Sequence, residues 1–579
     1  MRNLWRSIFV CDFEFHQPDG SLPQPICGCY EEVGSGEVYD IWLADTPQGR
    51  ASPPIEFTDD DLLVAYYSTA ELSCYLQLGW QVPPNIVDLY YEFRNLTNGL
   101  PLTAGRGLLG ACHYYGVECW APSLKTAHQN LAIRGGPYSD SERSALIDYC
   151  RSDVSATCEL FRRMCDTINI GPAVHRGRYG KSVAAMERHG VPINVPLLTR
   201  LRHNWSHMQA AMIHAVDPLR EVYDEAGSFR IDRFSQYLSS RHIDWPRLDS
   251  GQLRLDDRAF REGSQQHPDT VGPFRELRHS LGQMRLNSLD VGPDGRNRCL
   301  LSPFASRTGR NQPSNSRFVF GPAVWIRHLI SPAEGRAVAY IDWAQQEFGI
   351  GAALSRDPRM CSAYKTGDPY LAFAKQAGAV PDSGTRTTHS RERESYKVAA
   401  LAVQYGMGDR SLAVRLGPDG DRLSAILLLQ QHRQTFRTFW RWTQGAVDHG
   451  MMHGSLRTVF DWTLHLAGEH INERSLLNFP CQANGAEMLR LACCLTHEAG
   501  VMLLAPVHDA LLIEAGVGEI EDAVRQTQRC MEDASRAVLD GFALRSSAYV
   551  VRYPDHYADP RGEKFFDLIL GLLPDPHHS

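Results

Sequence analysis

Hydrophobic and polar positions along this chain follow two periods. In RSIFVCDFEF the apolar run has the length of a strand and is interrupted at Asp12 and Glu14, which the two-residue repeat places on one face. DLLVAYYSTAELSCYLQLGW predicts a strand entering a helix, with Glu71 near the join. SERSALIDYCRSDVSATCELFRRM predicts a helix carrying Tyr149 and Asp153 at i and i+4. From about 166 to 300 the pattern reads as long, charged, exposed helices. YIDWAQQEFG and VHDALLIEAG are strand-like runs that each set one aspartate, Asp342 or Asp509, at a turn or strand end. Between them lies the helical run RERESYKVAALAVQYGMG. At about 100° per residue, Arg393, Lys397, Leu401 and Tyr405 form a drifting stripe on one face, and Gly406 ends the helix. RLGPDGDRL is punctuated as a loop.

With 579 residues, 43% hydrophobic and 22% charged, the chain has the core of a globular protein of several domains and is not a small stapled scaffold. A net charge of −8 means that binding a polyanion must rely on local basic tracts. Such tracts occur: Arg296, Arg298, Arg307 and Arg310 come before the first aspartate strand, and Arg386, Arg391, Arg393 and Lys397 enter the basic helix. Arg433, Arg437 and Arg441 recur among Phe436, Phe439, Trp440 and Trp442, which fits an amphipathic helix and strand binding equally well. The 15 cysteines lack disulfide or zinc spacing and read as reduced thiols of a cytoplasmic protein. No leader and no run of about 18 apolar residues predicts secretion or a membrane span. RGRYGKSVAAME imitates a phosphate loop, but His175 stands where a glycine is needed and no strand leads in, so an ATPase site is excluded.

Paired aspartates suit two divalent cations about 3.5 to 4 Å apart, one activating an attacking oxygen and one stabilising a leaving oxygen. The basic helix supplies the rest of a nucleotide site. A triphosphate would meet Arg393 and Lys397, and base and sugar would meet Leu401 and Tyr405.

On these motifs the chain resembles the family A DNA polymerases, the group of bacterial polymerase I and many phage replicases. The resemblance identifies Asp342 with Gln345 and Glu347 as motif A, Arg393, Lys397, Tyr405 and Gly406 as motif B, and His508 with Asp509 as motif C. It implies that Asp342 and Asp509 hold two Mg2+ (or Mn2+) ions, with the Trp343 carbonyl as a further ligand. It also implies that Glu347 excludes a 2′-hydroxyl and that His508 meets the primer end. TGRNQ makes Arg310 a minor-groove contact, and ERSLLNFPCQANGAEM puts Arg474, Asn478 and Gln482 at template and primer positions. Three positions depart from the pattern: Ala510 follows the motif C aspartate where an acid is usual, Leu401 replaces an aromatic residue, and Gly349 replaces an arginine.

The first 165 residues resemble the 3′-to-5′ proofreading exonuclease domain of the RNase H-like fold. That resemblance gives Asp12, Glu14, Glu71 and Asp153 a second metal pair and gives Tyr149 the orientation of the attacking water; Glu71 stands where aspartate is usual, and Asp88 is a secondary acidic position. The expected fold is thus α/β and α+β, with several domains: an RNase H-like exonuclease (1–165), then a right-hand polymerase with thumb (166–300), palm (301–357 and 466–579) and fingers (358–465). The expected activity is template-directed DNA synthesis with proofreading, in a phage-type replicase. Its partners would be primer–template DNA, dNTPs and phage replisome proteins. It would act as a monomer in the cytoplasm, that of an infected host if phage-encoded. The rivals are a single-subunit RNA polymerase, disfavoured by Glu347 and the exonuclease motifs, and a nucleic-acid-binding factor or lone exonuclease with an inactive polymerase fold.

Overall fold

The computed structural model describes residues 4–45, 51–119, 122–284, 286–321, 323–404, 406–417, 420–467 and 473–574. Two compact units form, one from residues 1–190, 300–312 and 336–550, the other from 191–299, 313–335 and 551–579.

The first unit opens with a sheet in the order β3-β2-β1-β4-β5, where β1 is Ser7–His16, β2 Gln24–Glu32, β3 Val38–Trp42, β4 Asp61–Ala65 and β5 Asn85–Asp88. β1 pairs antiparallel with β2 and parallel with β4. Strand alternation sorts its residues between two layers. Cys11 and Phe13 pack with Leu72, Tyr75 and Leu78 of helix α1 (Ser68–Leu78). Ile8 and Val10 pack with Leu146, Cys150 and Val154, so the Asp12 and Glu14 face is the one that later meets the helix carrying them. Phe13 lies opposite Gly28, where a Cβ would come within 2.7 Å of its ring.

Helix α2 (Leu89–Thr97) follows β5, then α3 (Pro122–Arg134) and α4 (Asp140–Met164), the last started by a capping box of Ser139 and Glu142. Helix α5 (Ile170–His189) contains the whole Gly-Lys-Ser segment. Gly177 serves close packing, since a Cβ there would sit 2.0 Å from the Ile86 carbonyl oxygen, and Lys181 donates to the Pro84 carbonyl at 2.5 Å. This seating against β5 places residues 166–190 in the first unit, although the sequence assigned them to the thumb.

A second sheet has the order β7-β8-β6-β9, with β6 Arg336–Trp343, β7 Met502–Val507, β8 Ala510–Gly516 and β9 Ser546–Arg552. Helices α6 (Gln346–Ser355), α7 (Ser390–Gln404), α8 (Glu473–Glu498) and α9 (Ile520–Val538) belong to the same unit. Gly349 gains a reason here. A Cβ would fall 2.4 Å from Leu544 and 3.0 Å from the Tyr364 ring, so α6 packs too closely for the arginine expected at this position.

The second unit departs from the long exposed helices expected over 166–300. Its helices are short, including Val195–His203, Trp205–Val216, Ile231–Ser240, Asp257–Gln266 and Gly272–Gln283. They close on an aromatic core in which Phe234 meets Phe229, Tyr237, Trp245, Phe260 and Phe274. The guanidinium of Arg278 lies over Phe229 and Phe260. Elsewhere in this unit the buried pair Arg327–Asp559, at 2.8 Å, ties residues 313–335 to 551–574, which the sequence assigned to the palm.

Among the described residues no helix is long and apolar enough to cross a membrane.

Candidate active sites

Antiparallel pairing of β6 with β8 sets Asp342 directly across from Ala510, one residue after Asp509. The Trp343 N–H donates to the Asp509 carbonyl at 3.3 Å and fastens the strand end to the turn. Burial, then the Asp342 charge, pushes the Asp509 carboxyl up to about 6; Arg310 opposes this and Glu347 adds to it. Four of the predicted residues therefore share one electrostatic site. Asp342 accepts a hydrogen bond from the Ser547 hydroxyl at 2.7 Å, a partner that no motif announced. Ala510 is fully buried. An acid there would face Asp342 across the sheet as a like charge.

The flanking residues are held as follows. Trp343 is buried and its indole N–H lacks a partner. Gln345 adopts φ 50° as the residue preceding α6, and its side-chain oxygen lies 3.5 Å from Arg545. Glu347 occupies the first turn of α6, and its charge reaches Tyr370 and Cys481. His508 is exposed, with φ 57° in the turn between β7 and β8.

On α7 Arg393, Lys397 and Leu401 recur at every fourth residue, and the two cations already have partners. Arg393 is bound to Asp368 at 2.6 Å, and Lys397 to Glu394 at 2.9 Å. Asp368 also caps the helix Pro369–Gln376 by accepting from the Leu371 N–H, and the Asp-Pro dipeptide there is a start signal that would have found it. Leu401 is half-buried, and Tyr405 lies outside the described residues. Arg310 follows Gly309, whose carbonyl accepts from buried Arg490 at 2.6 Å. Arg474, Asn478 and Gln482 all stand on α8; a Cβ on Gly406 would lie 3.3 Å from Arg474, and the Asn478 side-chain oxygen is buried without a partner.

The second acidic cluster sits where β1 outruns β4. Pairing with β4 stops at Val10, so Asp12 and Glu14 overhang the carboxyl end of that strand. Asp12, Glu14 and Asp153 each offer an oxygen, all within 4.8 Å of one another. Burial and then Asp153 raise the Asp12 carboxyl to about 8, while burial and then Asp12 push Glu14 well up. Glu71 is buried among them in charge, raised by burial and then by Asp12, but falls outside that trio. It comes from α1, which packs on the opposite face of β1. One oxygen each of Asp12 and Glu71 is buried without a hydrogen-bond partner. Crowded, orphaned carboxylate oxygens of this kind fit a divalent cation, which would let them ionise together.

Two residues change the sequence reading of this cluster. Lys125 on α3 is paired with Asp153 at 2.5 Å, and its ammonium stands 5.4 Å over the Tyr149 ring, which stacks on His128. Nothing in the spacing of SLKTAH pointed to it. Asp88, expected as a secondary acidic position, is consumed structurally: it accepts from the N–H groups of Tyr67, Ser68, Tyr90 and Tyr91 and from the Ser68 hydroxyl, capping α2.

The fold is that of a right-hand polymerase behind an exonuclease-like α/β region. Residues 321–543 match the sequence model of DNA polymerase family A. It is similar to DNA polymerase I of Chloroflexus aurantiacus, 24% identical over 465 residues, which are 72% of this chain and 48% of that protein. It is also similar to DNA polymerase I of Aquifex aeolicus, 22% identical over 443 residues, covering 68% of this chain and 73% of that one. The chain thus spans about half the length of its Chloroflexus relative. Among solved structures, its fold resembles the POL domain of Pol1 from M. smegmatis in complex with DNA primer-template and dNTP. The TM-score is 0.69 at 18% identity, covering 94% of this chain and 95% of that one.

Proposed function

We propose that the chain is a template-directed DNA polymerase with an attached 3′-to-5′ exonuclease. The observation that carries this reading is the placing of Asp509, one residue before Asp342's cross-strand partner Ala510, near enough to Asp342 that one charge raises the other's carboxyl. Asp342 and Asp509 would hold Mg2+ or Mn2+, which when bound supplies charge stabilisation and lowers the pKa of the attacking hydroxyl. The chain's own residues do the rest. Arg393 and Lys397 orient the triphosphate after exchanging their present carboxylate partners for phosphate oxygens. Glu347 bounds the sugar, Arg310 meets the minor groove beside Asp509, and Arg474, Asn478, Gln482 and His508 position the strands. Such contacts fix register while base pairing selects the nucleotide.

In the N-terminal region Asp12, Glu14, Asp153 and Glu71 would hold the metals of the exonuclease, and Tyr149 would orient the attacking water. The named relatives are bacterial, so the setting proposed is DNA synthesis in a cell, with the phage replicase expected from sequence as one instance. Primer extension with separate dNTP and NTP pools tests the reading. Extension with dNTPs supports it, extension with NTPs alone transfers it to an RNA polymerase, and no extension with intact DNA binding leaves a binding factor.

A further inference from the structure

A cavity of about 250 Å³ in the first unit is lined by Arg94, Asn98, Gly99, Arg106, Ala305 and Arg307, and no acidic residue lines it. Its walls are fixed. Arg94 donates from Nε to the Phe304 carbonyl at 2.7 Å and also to the Ala305 carbonyl and the Tyr90 hydroxyl. Asn98 donates to the carbonyls of Arg307 and Thr463, both at 2.8 Å, and the Trp462 indole donates to the Arg307 carbonyl at 3.0 Å. These bonds hold the backbone and leave the arginine charges uncompensated. Arg106 reaches only the Thr97 carbonyl, at 3.5 Å, and the Arg307 guanidinium has no hydrogen-bond or ion-pair partner among the described residues. Burial, with the like charges of Arg94 and Arg307, pushes Arg106 below the ordinary guanidinium range.

Three convergent guanidinium groups without a carboxylate make a local anion well in a chain whose net charge is −8. The planar fork of arginine matches phosphate oxygens bidentately. Position narrows the anion further. Arg307 lies three residues before Arg310, whose charge reaches Asp509, and Arg94 stands on the helix that Asp88 caps beside the first residues of α1. We propose that Arg94, Arg106 and Arg307 form a phosphate-binding pocket for a DNA strand, one that takes the backbone of an unpaired 3′ end passing between the two acidic centres. This rests on the polymerase-with-exonuclease reading.

The test is equilibrium binding of labelled primer–template to the full chain in EDTA, so that binding is read without chemistry. One DNA is fully paired and one has a few mismatched nucleotides at the primer end, over about 50 to 200 mM salt. Wild type is compared with R106Q/R307Q; Arg94 is spared because it holds the loop. For the mismatched DNA, the double variant is expected to bind roughly tenfold more weakly at low salt. Its log–log salt slope should be shallower by about 0.7 to 1.4, the loss of one or two single-strand phosphate contacts. The paired DNA should change less, R106K/R307K should recover most of the loss, and the thermal midpoint should stay put.

Unchanged slope and affinity on mismatched DNA, or equal losses on both DNAs, overturn the proposal. So does inorganic phosphate that stabilises wild type but not the double variant while the DNA slopes coincide, since the pocket would then hold an adventitious anion only. Failure of wild type to bind any primer–template refutes the polymerase reading itself, and the pocket assignment with it.

Discussion

Asp342 and Asp509 meet because one strand ends and a neighbouring turn begins at the same height of a sheet. Neither side chain carries the core, so D342N or D509N is expected to fold while losing more than about a thousandfold in nucleotide addition, about 4 kcal/mol of barrier. Single-turnover extension together with a denaturant midpoint measures both. Near-normal extension would displace the polymerase centre. Glu347 is placed to feel the same site, and E347A is expected to raise ribonucleotide incorporation by opening space at the sugar; unchanged dNTP-over-NTP selectivity would clear it of that role. Gly349 acts by its smallness. G349A drives a methyl group against Leu544 at 2.4 Å and should cost about 1 to 3 kcal/mol, read as a lowered urea midpoint with an unaltered slope. Motif spacing showed the aspartates because they recur in apolar frames; it could not show why Gly349 is glycine, because Leu544 and Tyr364 are brought to it only by folding. Lys125 was hidden for the same reason.

Strands and helices that advertise themselves by period were legible: the alternation in β1, the run into α1, the α4 helix and the basic α7 all form where the pattern put them. Residues 166–300 misled because charge was read as exposure, whereas the aromatic residues between the charged ones close a core of short helices. Packing also sets how one helix answers pH. His432, on the helix Arg422–Thr435, is buried, and the Trp440 indole donates to its Nδ1 at 3.0 Å. Burial lowers its pKa to about 3. In the unfolded chain it takes a proton near pH 6.5, so between these values the unfolded state binds more protons and stability falls as pH falls. From about pH 6.5 to 5 this is worth about 2 kcal/mol as an upper bound. H432Q should flatten that decline in urea titrations at the two pH values, and an identical decline in both proteins would assign it to other groups.

At the scale of the molecule, the candidate-site carboxylates divide between two different sheets, Asp12 and Glu14 on one and Asp342 on the other. D12A/E14A is therefore expected to abolish Mg2+-dependent degradation of mispaired ends while matched primers are still extended. Degradation surviving in the double mutant would place the nuclease elsewhere, and none in wild type would make the cluster a relic.

The two clusters also differ in what already occupies them. Asp153 is neutralised from within the chain by Lys125, whereas Asp342, among the described residues, accepts only the Ser547 hydroxyl. A divalent ion has to compete with the Lys125 ammonium for the Asp153 carboxylate. In a Mg2+ titration, synthesis should accordingly reach half its maximum at a lower concentration than degradation, and K125M should draw the two midpoints together; coincident midpoints in wild type would refute this. The frequency of copying errors would then follow the supply of free ion, with one lysine setting the concentration at which correction begins.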